Sequence, residues 1–232
     1  MSKLTIYGDM LSQPTRAVLV FCKLTKIPYD FSPVYLNKGE QFKEEFKKIN
    51  PLSYVPAIKL VDSNKKEFTL SESHAIIRFL SVYYLVEDKW YPRQNLYRKA
   101  LVDQYLDYHH LNTRFVFSNK FFKTFFGPLL EKKGKKPRGY DVEERLPILL
   151  THFDTLLGKQ KYIVDNQISI ADLLFTCEVN QLVLISYDLS KYNNLGNYLK
   201  TMNELPEMIE VNVIIEKLKN KIFNEESPQA KF

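Results

Sequence analysis

Ser12 lies just ahead of a proline in the stretch Leu11-Ser12-Gln13-Pro14-Thr15-Arg16, between a strand-like segment and a helix-like one. A hydroxyl in that place has two uses. As the helix cap, its oxygen accepts a backbone N–H; if Gln13 caps and Pro14 is the first helical residue, the hydroxyl faces a ligand and can donate to an anion. Taken alone, capping or turn-making is the commoner use of such a serine. Two further stretches offer matching chemistry. In "NPLSYVPAI" (50–58), Pro56 stands where a strand begins, although proline cannot donate to a ladder. An ordinary trans turn satisfies the residues. A cis Val55–Pro56 bond would instead leave the Val55 N–H and C=O to pair with an extended, peptide-like ligand. In "LSESHAI" (70–76), Glu72 and Ser73 open a helix. Its free N–H groups suit a carboxylate and Glu72 suits an ammonium, unless the pair is a plain helix start.

Other chemistries lack their residues. The seven glycines never fall as GxGxxG or GxxxxGK, which removes the usual phosphate cradles. His74, His109, His110 and His152 show no metal-ligand spacing, so no metal site is expected. Cys22 and Cys177 are distant and form no CxxC, which argues against a disulfide framework and for a reducing compartment. The net charge of +6, from 33 basic and 27 acidic residues, favours acidic ligands at long range. The basic residues are dispersed among acids, so nucleic-acid binding is not expected; the basic "KKGKKPRG" (132–139) reads as a solvated loop. No apolar run reaches the roughly 20 residues that span a bilayer, and the start lacks a signal-peptide pattern, so a cytoplasmic protein with no membrane partner is expected.

The elements that must position these residues follow from periodicity. Alternation in 3–7 predicts a strand, Pro14 to Lys26 a helix, and the β-rich 29–36 an edge strand or a break at Pro33. A short polar helix is expected over 40–50, with Phe42, Phe46 and Ile49 on one side. Strands at 55–61 and 66–70 flank a turn at Asp62-Ser63-Asn64, and a helix over 71–84 closes the set. The order β-α-β-α-β-β-α implies a small, partly parallel sheet with helices on its faces. Beyond "EDKWYPRQN" strand signals nearly vanish; helical periodicity covers 95–126, 141–160, 169–187, 193–204 and 206–224. The expected division is an α/β domain at 1–85, a linker at 86–94, an all-helical domain at 95–226 and a tail at 227–232. Ser169 three residues before Asp172 resembles a capping box. Phe115, Phe122, Phe125 and Phe126 are expected to cover an apolar helix face, mostly as core.

The ordered set "LSQPTRAV", "KGEQF", "INPLSYVPAI", "LSESHAI", "WYP" and "ISIADL" resembles the cytosolic glutathione transferases, most closely the theta class, over nearly the whole length. The resemblance implies a thioredoxin-like first domain with a mixed four-stranded sheet that binds glutathione, and an all-α second domain that completes a pocket for an electrophile. It makes Ser12 the catalytic hydroxyl, donating to the glutathione sulfur, and Pro56 the cis-proline. Val55 would bond the cysteinyl part of glutathione, Glu72 and Ser73 the γ-glutamyl end, and Gln41 and Tyr54 the glycyl end, where the theta pattern often has histidine and lysine. Tyr7, whose place serves this purpose in other classes, is expected to pack. Arg16 is expected to lend charge or, more simply, to form a salt bridge on the helix face. Asp103 would reach the glutathione of a partner subunit, or pair with a nearby Lys or Arg.

The resemblance thus implies conjugation of the glutathione thiolate to small apolar electrophiles in detoxification, by a homodimer with glutathione as co-substrate and no bound cofactor. The alternative is a non-catalytic adaptor or interaction protein that retains the scaffold.

Overall fold

The alternation of Lys3–Gly8 becomes strand β1, with Leu4, Ile6 and Gly8 turned inward. The computed structural model describes residues 2–127, 131 and 140–223. Pro128, the loop 132–139 and the tail 227–232 lie outside the described residues. The chain divides into two compact units: residues up to Glu87 together with those from Glu210 on, and Asp88–Ile209.

In the first unit β1 is followed by α1 (Gln13–Leu24), β2 (Asp30–Pro33), α2 (Glu44–Lys47), β3 (Ala57–Val61), β4 (Glu67–Ser71) and α3 (Ser73–Tyr83). The sheet order is β2-β1-β3-β4, with β1 and β2 parallel and the other neighbours antiparallel. This is the mixed four-stranded sheet expected from the sequence. Pro33 is the last residue of an edge strand, where its missing N–H breaks no ladder. Asp62 makes the β3–β4 turn, its Oδ1 accepting from the N–H of Asn64 (2.8 Å) and of Lys66 (2.9 Å). Helix α1 is buried from Gln13 through Cys22.

The helix expected over 40–50 is broken. Single 3₁₀ turns at Leu36–Lys38 and Glu40–Phe42 precede α2, and Lys43, between the second turn and α2, is extended (φ −71°, ψ 147°). Glu40 folds back to accept the Tyr35 N–H at 2.9 Å, which competes with a continuous helix. Only Phe46 of the three expected apolar anchors is fully buried; Phe42 is 64% exposed.

The second unit is helical: α4 (Leu96–His109), α5 (Phe115–Phe121), α6 (Arg145–Leu157), α7 (Ile170–Leu184) and α8 (Asn193–Asn203). The final helix α9 (Pro206–Phe223) begins here. Wider, π-type turns at His110–Arg114 and Phe122–Phe126 flank α5. Each such turn shifts the helical phase. That shift corrects the expected aromatic face: among the described side chains Phe117 and Phe121 are buried, Phe122 is 47% exposed and Phe115 and Phe125 are half-buried, and the side chain of Phe126 lies outside those described.

Helix α7 is buried on nearly every side, and its Phe175 meets the rings of Tyr105, Phe117, Phe153 and Tyr198. The capping box forms as expected. Asp172 accepts the Ser169 N–H at 2.8 Å and the Ile163 N–H at 2.9 Å, and the Ser169 hydroxyl caps the helix. Burial pushes the Asp172 carboxyl up to about 6 against those hydrogen bonds. Among the described residues no helix is long and apolar enough to cross a membrane.

Candidate active site

The sheet register gathers the three stretches singled out by residue type. Tyr7 on β1 pairs with Ala57 on β3, and Ala57 pairs with Ser71 on β4. One end of the sheet therefore carries the exit from β1 toward Ser12, the entry to β3 from Val55 and Pro56, and the exit from β4 into Glu72 and Ser73. The parallel partner of Gly8 is Pro33, so β2 leaves at the same end toward Gln41. The first turns of α1 and α3 both start there, and their free N–H groups give that end a positive bias.

Ser12 is the N-cap of α1, with extended φ −75° and ψ 115°. Of the two sequence alternatives the structure takes this one: Gln13 opens the helix and Pro14 follows inside the first turn. The Ser12 Oγ accepts the Thr15 N–H at 3.4 Å. Capping consumes a lone pair and leaves the hydroxyl proton to donate elsewhere. The residue is 9% exposed.

Val55–Pro56 is cis. Val55 lies two residues ahead of the first ladder pair, so its peptide groups stand outside the sheet. Glu72 is the N-cap of α3 without a side-chain cap bond, and its φ of 70° is unusual for a residue with a side chain. Such a conformation at a strand–helix junction is where functional constraint is commonly found. Next to it Ser73 is 2% exposed, and its Oγ has no hydrogen-bond partner among the described residues. The buried Gln41 Oε1 also lacks one among them. A buried polar atom without a partner is costly, and a polar ligand would relieve it.

Tyr54 is 70% exposed, and its carbonyl accepts the Asn50 Nδ2–H at 2.7 Å. Tyr7 packs against Val34, Phe46 and Ala57. Arg16 was expected to lend charge or to form a salt bridge on the helix face. It is fully buried, and its Nη1 donates to the carbonyls of Met10 and Leu11 at 3.0 Å each. Asp103 belongs to the helical unit, where the Tyr91 hydroxyl donates to its carboxylate (3.0 and 3.2 Å) and the Lys99 ammonium stands 3.8 Å away. Burial raises the Cys22 thiol far above its usual range, leaving it unreactive.

Sequence reasoning passed over Asn50 and Asp9. Asn50, 2% exposed, braces the segment before Val55 through Tyr54 and through the Leu52 N–H at 3.1 Å. An Asn-Pro pair is a turn signal, and it was the available clue. Asp9 accepts N–H groups from Leu11 and Leu36, at 2.9 Å each.

Two family models match: the glutathione S-transferase N-terminal domain over residues 12–81 and the C-terminal domain over 117–210. Glutathione S-transferase T1 of Arabidopsis thaliana is 40% identical over 189 residues, covering 80% of this chain and 75% of that protein. The chain belongs to the glutathione S-transferase family. Glutathione S-transferase theta-2 of Mus musculus is 34% identical over 80% of this chain and 74% of its own, which sides the family member with the theta class. Glutathione S-transferase T3 of Arabidopsis thaliana is 38% identical over 94% of this chain, which spans only 38% of that longer protein.

The solved human glutathione-S-transferase T1-1, apo form, superimposes with a TM-score of 0.75 at 30% identity, over 94% of this chain and 91% of its own. Human glutathione transferase theta-2, in complex with glutathione and an unknown ligand, gives 0.77 at 29% identity over 97% and 92%. The glutathione S-transferase fold thus embraces both units, a thioredoxin-like sheet unit and a helical unit.

Proposed function

We propose that this chain is a serine-type glutathione transferase that makes the glutathione thiol anionic and conjugates it to small apolar electrophiles. The observation that carries the reading is the register Tyr7–Ala57–Ser71, which sets Ser12, Val55 and Ser73 around one end of one sheet. Val55 pairs with the cysteinyl backbone, Glu72 with the γ-glutamyl ammonium and Ser73 with its carboxylate. Gln41 and Tyr54 serve the glycyl end.

A free thiol of pKa about 8.5 is only a few per cent ionised at neutral pH. The Ser12 O–H, donating to sulfur beside the start of α1, favours the anion. Lowering the thiol by about 2 units takes roughly 2.7 kcal/mol of preference for the thiolate. The sulfur lone pair then forms a C–S bond while a halide leaves, or adds to an activated double bond whose carbanion takes a proton from water. Ser12 donates a hydrogen bond throughout and is not the nucleophile. Two such chains pair as a cytosolic homodimer in detoxification, with Asp103 near the interface.

The test is thiol consumption with an aryl or alkyl halide across pH, in wild type and Ser12→Ala. The variant is expected to lose about tenfold or more in kcat/KM at neutral pH and to shift its pH midpoint up toward that of the free thiol. Wild-type turnover no faster than buffer, or an unshifted Ser12→Ala profile, would refute the proposal.

A further inference from the structure

The segment Asp9–Ser12 is fastened by two ionisable side chains, one from each end. From the strand side, the Asp9 carbonyl accepts the Ser12 N–H at 2.9 Å, and the Asp9 carboxylate accepts the Leu11 N–H at 2.9 Å. From the helix side, the buried Arg16 guanidinium donates through Nη1 to the Met10 and Leu11 carbonyls, and the Arg16 N–H reaches the Ser12 carbonyl at 3.0 Å. Both peptide groups of Ser12 are thereby held, together with the carbonyls of the two residues before it. A short loop on the surface ordinarily gives such groups to water and keeps its freedom. Here the backbone of Asp9 and Arg16 takes the N–H and C=O of Ser12, and charged side chains take the Leu11 N–H and the Met10 and Leu11 carbonyls, with hydrogen bonds stronger than neutral ones. The other oxygen of the Asp9 carboxylate accepts the Leu36 N–H at 2.9 Å, which ties the loop to the segment leading to Gln41.

We infer that Arg16 and Asp9 are positioning residues: together they clamp the 9–12 loop and so set the direction in which the Ser12 hydroxyl donates. The inference rests on the reading of Ser12 given above. A hydrogen bond weakens steeply as its angle opens, so a loosened loop leaves Ser12 present and mis-aimed. The Arg16 Nη1 reaches the loop of Ser12, whereas the Asp9 carboxylate reaches that loop and the segment leading to Gln41. The two therefore differ in what their loss does: Arg16 acts on thiol ionisation, and Asp9 acts on ionisation and on holding the tripeptide.

The experiment compares wild type, Arg16→Met, Arg16→Lys, Asp9→Ala, Ser12→Ala and the Ser12→Ala/Arg16→Met double variant. Each is measured for the pH midpoint of kcat/KM and for KM toward glutathione. Arg16→Met is expected to raise the midpoint by about one unit, a roughly tenfold loss of kcat/KM at the acid end, with KM for glutathione changed less than about twofold. Arg16→Lys, which keeps a cation to meet the two carbonyls, is expected to recover about half of that shift. Asp9→Ala is expected to raise both midpoint and KM. In the Ser12→Ala background Arg16→Met adds no further shift, because the residue it positions is gone.

A purely structural arginine would lower thermal stability and leave the midpoint alone. A folded Arg16→Met with the wild-type midpoint, or a further shift in the double variant, overturns the clamp. If Arg16→Met does not fold, Asp9→Ala decides, and a wild-type midpoint there has the same force. Should Ser12→Ala itself leave the midpoint unmoved, the reading of Ser12 falls and the clamp with it. A shift in Ser12→Ala with none in the clamp variants removes the clamp alone.

Discussion

Gly8 is the last residue of β1, and a methyl group there would test how closely the strand and α1 must approach. A Cβ built on Gly8 would lie 2.3 Å from Thr15 Cγ2 and 2.8 Å from Thr15 Oγ1. Carbon atoms prefer roughly 3.5–4.0 Å, so the first turn of α1 would have to retreat by more than an ångström. Thr15 cannot swing aside cheaply, because it is β-branched and both γ atoms meet the new methyl. The backbone raises no separate objection, since positive φ among the described glycines is recorded at Gly39 only. The effect of Gly8→Ala is therefore steric. Overpacking of this kind costs about 1–3 kcal/mol. Thr15 also donates its N–H to Ser12 Oγ over an already long 3.4 Å, so the retreat breaks the cap and moves the hydroxyl proposed to act on sulfur.

A size exchange separates this reasoning from general damage. Thr15→Ala alone removes one methyl, about 1 kcal/mol, and partly offsets that by deleting a buried hydroxyl that has no partner among the described residues. Gly8→Ala/Thr15→Ala returns the volume to the contact. The double variant is expected to recover about 1–2 kcal/mol relative to the sum of the single losses, and conjugation activity with it. Urea midpoints and thiol consumption on all four proteins make the measurement. If the double variant loses the sum of the two single losses, the close approach of Gly8 to Thr15 does not govern this junction and the steric account is wrong.

Two further outcomes follow from buried polar groups. Ser73→Ala is expected to raise KM for glutathione about tenfold while leaving stability unchanged or slightly higher, because its hydroxyl has no partner to lose among the described residues; a loss of about 1 kcal/mol in denaturation with unchanged KM would mark it as a plain structural serine. Asp172, raised to about 6 from 3.8, binds its proton more tightly in the folded chain than in the unfolded one. The stability it contributes is thus full below about pH 4 and is lost as pH rises through 6, about 3 kcal/mol in all. Urea midpoints from pH 4 to 7 should show a falling component in wild type that is missing in Asp172→Asn, and parallel curves would contradict the raised carboxyl.

How much of this was legible depended on whether the deciding partner was local. The capping box at Ser169 and Asp172 was readable because both partners lie within one helical turn. Strand β1 was readable from alternation, β3 and β4 from the turn residues between them, and β2 as an edge strand or a break from the chemistry of proline at Pro33. The helix expected over 40–50 failed at Lys43, because the competing Glu40–Tyr35 bond lies just upstream of the periodic stretch. The buried aromatic face was misassigned because a π-type turn leaves no mark in a count of three-and-four spacings. The burial of Arg16 went unread for a different reason. Charge predicts exposure, and nothing in "SQPTRAV" shows that the carbonyls of Met10 and Leu11 fold back over the helix start. Pro56 as a cis residue came from the likeness of ordered motifs; composition alone favoured the trans form.

The choice framed for Ser12, cap or ligand donor, dissolves once donor and acceptor are counted separately. A hydroxyl carries one proton and two lone pairs, and capping Thr15 occupies a single lone pair. An N–H donating to that oxygen also polarises the O–H, which strengthens any bond the proton then makes. Capping thus fixes where the oxygen sits and improves it as a donor. The backbone that carries that oxygen is held on either side: the Asp9 C=O accepts the Ser12 N–H, and the Arg16 N–H donates to the Ser12 C=O. A serine in this loop works through its neighbours. The same residue on a freely hydrated turn would have the hydroxyl without the aim.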